Sequence, residues 1–130
     1  MYSDYSFIVM NDIEDLKVYQ LAYSYEKRIW ELVMSWPYFE KSTIGKQLVR
    51  SADSVSANIC EGYGRYHYKE NKNFLFYARG SLYETKNWLK KANDRKLIDH
   101  ETYKMLKSES IVIVKMLNAY IRSIGKKAND

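Results

Sequence analysis

The spacing of apolar residues limits the fold of this chain more than any other feature of its sequence. In four segments, apolar side chains recur at steps of three and four, which places them on one face of an α-helix. One proline and five glycines among 130 residues are too few for the turns of an all-β domain. We therefore predict an all-α fold. The first stripe is Val18, Ala22, Tyr25, Ile29, Leu32 and Trp36, and the fourth is Tyr103, Leu106, Ser110, Ile113, Leu117, Tyr120 and Ile124.

Capping residues and helix breakers predict the helix ends. Asp12 and Asp99 suit N-cap positions, and Pro37 ends the first helix because the residue before a proline is pushed out of the α region. Gly62 and Gly125 stand where C-capping glycines are found. Short connections between such helices predict a single-domain, up-down antiparallel four-helix bundle. The predicted helices span about 12–35, from after Ser42-Thr43 to 62, 68–97 and 99–124. Residues 1–11 are predicted as an arm that docks on the fold or a neighbour, 12–125 as the bundle and 126–130 as a tail.

The second and third helices are predicted to pack closely. The second helix is rich in small residues, among them Ser51, Ala52 and Ser54. Gly80 lies inside the third helix, where glycine costs about 1 kcal/mol relative to alanine. We predict that Gly80 and Ser81 form a notch for the small face of the second helix. The predicted inner face of the third helix is Phe74, Ala78, Ser81, Leu82, Thr85, Trp88, Leu89 and Ala92.

Charge is unevenly distributed along the chain. The net charge is +5, but residues 1–40 carry −4 and residues 41–98 carry +7, from twelve Lys/Arg and five Asp/Glu. A basic middle section is typical of a surface that meets a polyanion. The single cysteine fits a reducing cytosol, and neither a secretory signal nor an apolar run of ~20 residues is found. We expect a cytoplasmic protein without membrane contact.

A row of cations and aromatic residues follows the outer side of the third helix, over ~30 Å. Cations attract phosphates, and aromatic rings stack on unpaired bases. The row predicts a nucleic-acid or partner contact, while a subunit contact or a plain solvated surface are the alternatives. Arg65 extends the row at its N-terminal end, unless it pairs with Glu61. The row consists of Lys69, Lys72, Phe76, Arg79, Tyr83, Lys86 and Lys90.

Motifs for phosphate loops and metals do not fit this sequence. Gly62-Tyr63-Gly64 follows a helix and lacks the spacing of a phosphate-binding loop. Cys60 and His67 have no second Cys/His pair nearby, whereas structural zinc takes four ligands. We predict no metal, cofactor or catalytic residue. One alternative is kept open: Arg95 and His100 match the R-x4-H pattern of HEPN-type nucleases, where the histidine would act as acid or base.

Two runs in the sequence resemble a known family. QLVRSADSVSANICEGYGR at 47–65 and FLFYARGSLYE at 74–84 are similar to the signature of the four-helix-bundle family encoded by ribosomal-RNA intervening sequences. The resemblance implies a bacterial homopentamer without established enzymatic activity. A related branch serves diversity-generating retroelements, where it binds the reverse transcriptase and nucleic acid. Motif positions implied to be structural are Arg50, Asn58, Glu61, Gly62, Gly64, Gly80 and Ser81.

Taken together, the sequence predicts a non-enzymatic, homo-oligomeric scaffold or accessory protein that associates with RNA or DNA. Two alternatives remain: a ring that binds only protein, such as a reverse transcriptase, and a weak nuclease that uses Arg95 and His100.

Overall fold

The computed structural model describes residues 12–125, and these form an antiparallel four-helix bundle with no strand in that range. The predicted fold class is therefore confirmed. The helices are α1 (Lys17–Met34), α2 (Lys46–Tyr63), α3 (Tyr68–Asp94) and α4 (His100–Ser123), and a 3-10 turn, Ile13–Asp15, precedes α1. The predicted N-terminal arm and C-terminal tail lie outside the described residues.

Some predicted helix ends are confirmed, but α1 begins at Lys17, with Leu16 and not Asp12 at its N-cap position. The side chain of Asp12 accepts a hydrogen bond from the backbone N–H of Glu14 in the 3-10 turn, and Asp99 accepts one from Thr102 at the start of α4. α1 ends at Met34, ahead of Pro37. α3 ends at Asp94 rather than at 97, because Lys96 adopts a left-handed φ of 61° and the N–H of Leu97 turns back to the carbonyl of Ala92.

The helical segment that leads into α2 begins earlier than the predicted start of the second helix. Helical geometry starts at Tyr38, continues through a π-helical turn, Lys41–Gly45, and leads directly into α2. The hydroxyls of Ser42 and Thr43 donate back to the carbonyl of Phe39, at 3.2 and 2.7 Å. Such i−3 and i−4 bonds continue a helical turn, so these two residues do not act as N-caps.

The predictions for Gly62 and Gly80 were wrong. Gly62 lies inside α2, which continues to Tyr63 with Gly64 as its C-cap. A Cβ at Gly62 would lie 2.9 Å from the backbone oxygen of Asn71, so glycine here allows α2 to approach α3. A Cβ at Gly80 would meet nothing within 4 Å, because Gly80 is on the outer side of α3 and forms no notch.

The core is a continuous apolar cluster between the four helices, and it contains the predicted stripe of α1 and the apolar residues of the predicted stripe of α4. The stripe of α3 is rotated slightly from its predicted position. Leu75 is fully buried instead of Phe74, and Leu89 is buried while Trp88 is half-buried. Two aromatic residues thus lie at the edge of the core.

Hydroxyl pairs connect α2 to α3. Thr85 and Ser51 are hydrogen-bonded through their hydroxyl oxygens at 2.9 Å, and so are Ser81 and Ser54. Both Thr85 and Ser51 are buried. The small residues of α2 therefore pack closely on α3, as predicted, with Ser81 rather than Gly80 in the contact. We call these four residues the hydroxyl seam.

Candidate nucleic-acid interface

The structure places the predicted row of α3 at the protein surface. Lys69 and Lys90 are exposed, and Phe76 and Tyr83 are 42 % and 53 % exposed. Because the row is displaced from the core stripe by about a third of a helical turn, it lies on the flank of α3 that faces α4. The half-buried members of the row are Lys72, Arg79 and Lys86.

Contacts between α3 and α4 show how the row is positioned. The guanidinium of Arg79 donates to the amide oxygen of Asn118 on α4 at 2.9 Å and lies 5.1 Å from the ring centre of Phe76. The ammonium of Lys86 lies 5.2 Å from the ring centre of Tyr83. Each of these cations is therefore held beside an aromatic ring, which limits its motion without neutralising it.

The row forms one wall of a groove whose other wall is α4. A cavity of about 370 Å³ lies at the end of this groove nearest the α3–α4 turn, and Tyr103 and Lys107 contribute its α4 side. We call this surface the α3–α4 groove. Its members are Lys72, Phe76, Arg79, Tyr83, Lys86 and Lys90 of α3 and Tyr103, Lys107 and Asn118 of α4.

The α4 residues of the groove were missed by sequence reasoning. Tyr103 was assigned to the core, and it does pack against the core while also lining the cavity. Lys107 follows it at i+4, on the same flank of α4. The i+4 spacing of Tyr103 and Lys107 was visible in the sequence. Only the packing of α4 against α3 shows that this flank of α4 faces the row.

Few carboxylates accompany the cations of the groove. Within residues 12–125, Lys90 alone among them forms an ion pair, with Asp94 at 3.1 Å. Both side chains of that pair are largely exposed, and such surface pairs contribute little. The groove therefore keeps a positive potential.

Arg65 has a different environment. Its guanidinium donates to Glu61 at 2.8 Å, approaches Glu70 at 3.9 Å and lies 4.7 Å from the ring centre of Phe74. The predicted pairing with Glu61 is confirmed. Because two carboxylates surround Arg65, it contributes less positive potential than the cations of the groove.

A second surface, on the opposite side of the bundle, is rich in aromatic residues and carries charges of both signs. We call it the α1–α2 face, and its aromatic and apolar members include Tyr23 and Trp30, which are 58 % and 51 % exposed. Shallow cavities along it are lined by carboxylates and by cations: Glu14, Glu26 and Asp53, and Lys27, Lys41, Lys46 and Arg50. The face consists of Tyr19, Tyr23, Glu26, Trp30 and Met34 of α1 and Val49 and Asp53 of α2.

Glu26 is the buried carboxylate of the α1–α2 face, at 8 % exposure. Its two oxygens accept hydrogen bonds from the backbone N–H and the hydroxyl of Ser56, at 2.8 and 2.7 Å. Burial raises the pKa of Glu26 to about 7, and the hydrogen bonds from Ser56 oppose this shift. Desolvation is the larger effect, and within residues 12–125 no ion pair of Glu26 opposes it.

Comparison with known proteins identifies the family. Residues 14–119 match the family described as 23S rRNA-intervening sequence protein. The chain belongs to this family. The bundle is also similar to the crystal structure of a protein of unknown function from the S23 ribosomal protein family of Bacteroides thetaiotaomicron VPI-5482, with a TM-score of 0.72 and 25% sequence identity. That likeness covers 82% of this chain and 99% of the other. The comparison with curated proteins found no match.

The motif residues of the family support the packing of α2. Gly62 allows the close approach of α3, and Asn58 donates to the backbone oxygen of Ser54 at 2.8 Å, beside the hydroxyl seam. Arg50 is exposed and lines a cavity with Trp30. Glu61 accepts a hydrogen bond from Arg65 instead, so Arg50 and Glu61 have separate surroundings.

Arg95 and His100 lie in the turn between α3 and α4. Arg95 is the C-cap of α3 and His100 is the first residue of α4, and both are exposed. Neither lines the cavity of the α3–α4 groove. Their positions serve the turn, where Asp99 caps α4.

The described part of the chain holds neither a cluster of metal-ligating side chains nor a membrane-spanning helix. Between residues 12 and 125, no three His, Cys, Asp or Glu side chains come together as a metal site would require. Cys60 is exposed on α2. None of the helices in this range has the length and apolar character to cross a membrane.

Proposed function

We propose that this protein is a non-enzymatic, homo-oligomeric accessory protein of the cytoplasm that binds RNA through the α3–α4 groove. The observation that carries the proposal is the groove itself, which combines exposed aromatic rings with cations that are almost free of ion pairs. Cations that follow a backbone and rings that stack on bases are the two elements of single-strand binding surfaces.

Assembly is supported by two unlike apolar surfaces on either side of α1. The α1–α2 face carries aromatic residues, whereas the cleft between α1 and α4 is lined by Leu21, Val112 and Ile113. Two different complementary surfaces on one protomer suit head-to-tail contacts, which close into a ring. The family resemblance implies five subunits. A ring would repeat the groove, so that weak sites act together on one RNA.

The test is RNA binding by fluorescence anisotropy across a salt series. A Lys72→Glu/Arg79→Glu/Lys86→Glu variant removes three phosphate-binding cations, so the slope of log K against log salt should decrease by about 2 for each groove in contact with RNA. A Lys17→Glu/Lys96→Glu/Lys104→Glu variant changes the net charge equally at exposed positions outside the groove and outside the cavities of the α1–α2 face, and it should retain most of the affinity. Equal losses in both variants would reject the groove as the binding surface.

A second candidate, a ring that binds only protein, is favoured by one observation. Tyr38 and Phe39 are 82 % and 70 % exposed at the end of the bundle, as is typical of residues that await a protein partner. A complex with a reverse transcriptase that survives nuclease treatment, and is lost in a Tyr38→Ser/Phe39→Ser variant, would support this function.

A further inference from the structure

The cavity at the end of the α3–α4 groove has the size and chemistry of a small-molecule site. Its volume of about 370 Å³ lies at the lower end of the ~300–1,000 Å³ that is typical of ligand pockets. It is far too small for a double helix, but it has room for a single planar ring system with its attached groups. The residues that matter for its chemistry are Tyr83, Lys86, Asn87, Leu89, Tyr103 and Lys107.

The walls of the cavity differ in character from its floor. Leu89 is 2 % exposed and gives the floor an apolar surface, and the two tyrosines stand on opposite helices. Because Tyr103 packs against the core, its ring is held in place before any ligand arrives. An apolar floor between two aromatic side chains favours a flat aromatic ring.

The rim of the cavity is positively charged. Lys86 and Lys90 reach it from α3 and Lys107 from α4, and among the described residues that line the cavity there is no carboxylate. Lys86 is held at the ring of Tyr83. Asn87 adds an amide, which both donates and accepts hydrogen bonds. An occupant must therefore combine an aromatic ring, polar ring edges and a negative charge.

We propose that this cavity binds one unpaired nucleotide of an RNA strand, with the base between Tyr83 and Tyr103 and its phosphate at Lys86 and Lys107. The proposal rests on the proposed function and adds a preference to it: the groove selects single-stranded over double-stranded RNA. In a duplex the bases are paired and stacked inside, so only the phosphates would reach the lysines. A strand with free bases gains both the phosphate contacts and the stacking.

The experiment compares two lysines of α4. Lys107 lines the cavity, whereas Lys104 is exposed on the same helix outside it. Anisotropy is measured with a fluorescein-labelled 12-nucleotide oligouridylate and with a labelled 12-base-pair RNA duplex. We expect Lys107→Gln to weaken binding of the oligouridylate several-fold more than Lys104→Gln does, and the two variants to bind the duplex alike.

A second pair of variants tests stacking separately from charge. Tyr103→Leu removes the ring and keeps most of the packing, and it should weaken oligouridylate binding by about tenfold, as loss of one base–aromatic contact does. Tyr103→Phe keeps the ring and should bind like the parent. Thermal melting followed by circular dichroism confirms that both variants are folded.

The outcomes distinguish failure of the nucleotide site in the cavity from failure of RNA binding by the groove. Equal effects of Lys107→Gln and Lys104→Gln on the single strand, or an unchanged affinity in Tyr103→Leu, would reject the nucleotide site while RNA binding by the groove stands. A parent protein that binds neither RNA at low salt would reject the proposed function itself.

Discussion

The α1–α2 face and the α3–α4 groove are both rich in exposed aromatic residues, yet they differ in the charges that surround these rings. Tyr23 and Trp30 lie near both carboxylates and cations, whereas Tyr83 and Tyr103 lie among lysines, with no carboxylate among the described residues of their cavity. Aromatic residues suit protein contacts and nucleic-acid contacts equally well. The balance of neighbouring charge therefore distinguishes the two surfaces: the one with both signs of charge is suited to subunits, and the one lined by lysines without a carboxylate attracts RNA.

The first prediction tests which of the two surfaces forms the subunit contact, and it has the largest expected effect. Trp30→Asp removes the indole ring from the α1–α2 face and places a charge there, which would lose its water on burial between subunits. We expect the variant to sediment as single protomers that retain their helical content, since Trp30 is half exposed within one protomer.

The matched control for assembly is Tyr83→Asp, because Tyr83 and Trp30 have nearly equal exposure, 53 % and 51 %. It should leave sedimentation unchanged and weaken RNA binding. If Tyr83→Asp dissociated the protein and Trp30→Asp did not, the roles assigned to the two surfaces would be reversed.

The second prediction uses pH, because Glu26 is the one buried carboxylate among residues 12–125. Its pKa is about 7 in the folded protein and 4.5 ordinarily, so the folded state binds more protons between these values. The free energy of unfolding should therefore fall as pH rises from 4.5 to 7, by up to about 3 kcal/mol. Urea unfolding at pH 5 and pH 8 measures this difference.

Substitution of Glu26 identifies the source of that pH dependence. Glu26→Gln should remove most of it, while Glu31→Gln, at an exposed position on the same helix, should keep it. A parent protein whose stability is the same at pH 5 and pH 8 would show that the carboxylate is better solvated than its burial indicates.

The third prediction has the smallest expected effect. It compares Gly80, on the outer side of α3, with Gly62 of α2, which faces the inner side of α3. A Cβ at Gly80 meets nothing within 4 Å, whereas one at Gly62 would lie 2.7 Å from the side-chain oxygen of Asn71. In urea titrations, Gly80→Ala should stabilise the protein by about 1 kcal/mol, and Gly62→Ala should destabilise it by about 1–3 kcal/mol through overpacking. Destabilisation by Gly80→Ala would mean that the outer side of α3 is covered by another subunit.

Local signals in the sequence predicted the helices well because each acts within a few residues. Asp99 caps α4 and Pro37 follows the end of α1, since both effects depend only on neighbouring backbone atoms. The positions that were predicted wrongly depend on how helices are rotated against one another. Phe74 and Leu75 are adjacent, and only the packing against α2 decides which of them is buried. Gly62 was assigned as a cap because its contact with α3 is not visible in one helix.

Only part of the candidate site was predicted, again because the rest depends on how two helices are rotated against one another. The α3 row could be seen as a periodic pattern, whereas the cavity needs Tyr103 and Lys107 from a second helix. No pattern in the sequence indicated that Glu26 is buried, because a single glutamate on an amphipathic helix is ordinarily solvated. Its burial follows from the position of Ser56 on the neighbouring helix.

The hydroxyl seam has a consequence for the direction of the basic surface. The pairs Thr85–Ser51 and Ser81–Ser54 both form at the observed axial offset between α2 and α3, so sliding α3 by a helical turn, ~5.4 Å, would lose at least one of the two contacts. The seam thus contributes to the register of α3 against α2. Each copy in an assembly must then aim its lysines in the same direction relative to its neighbours, and a passing strand would encounter a regular succession of identical binding positions.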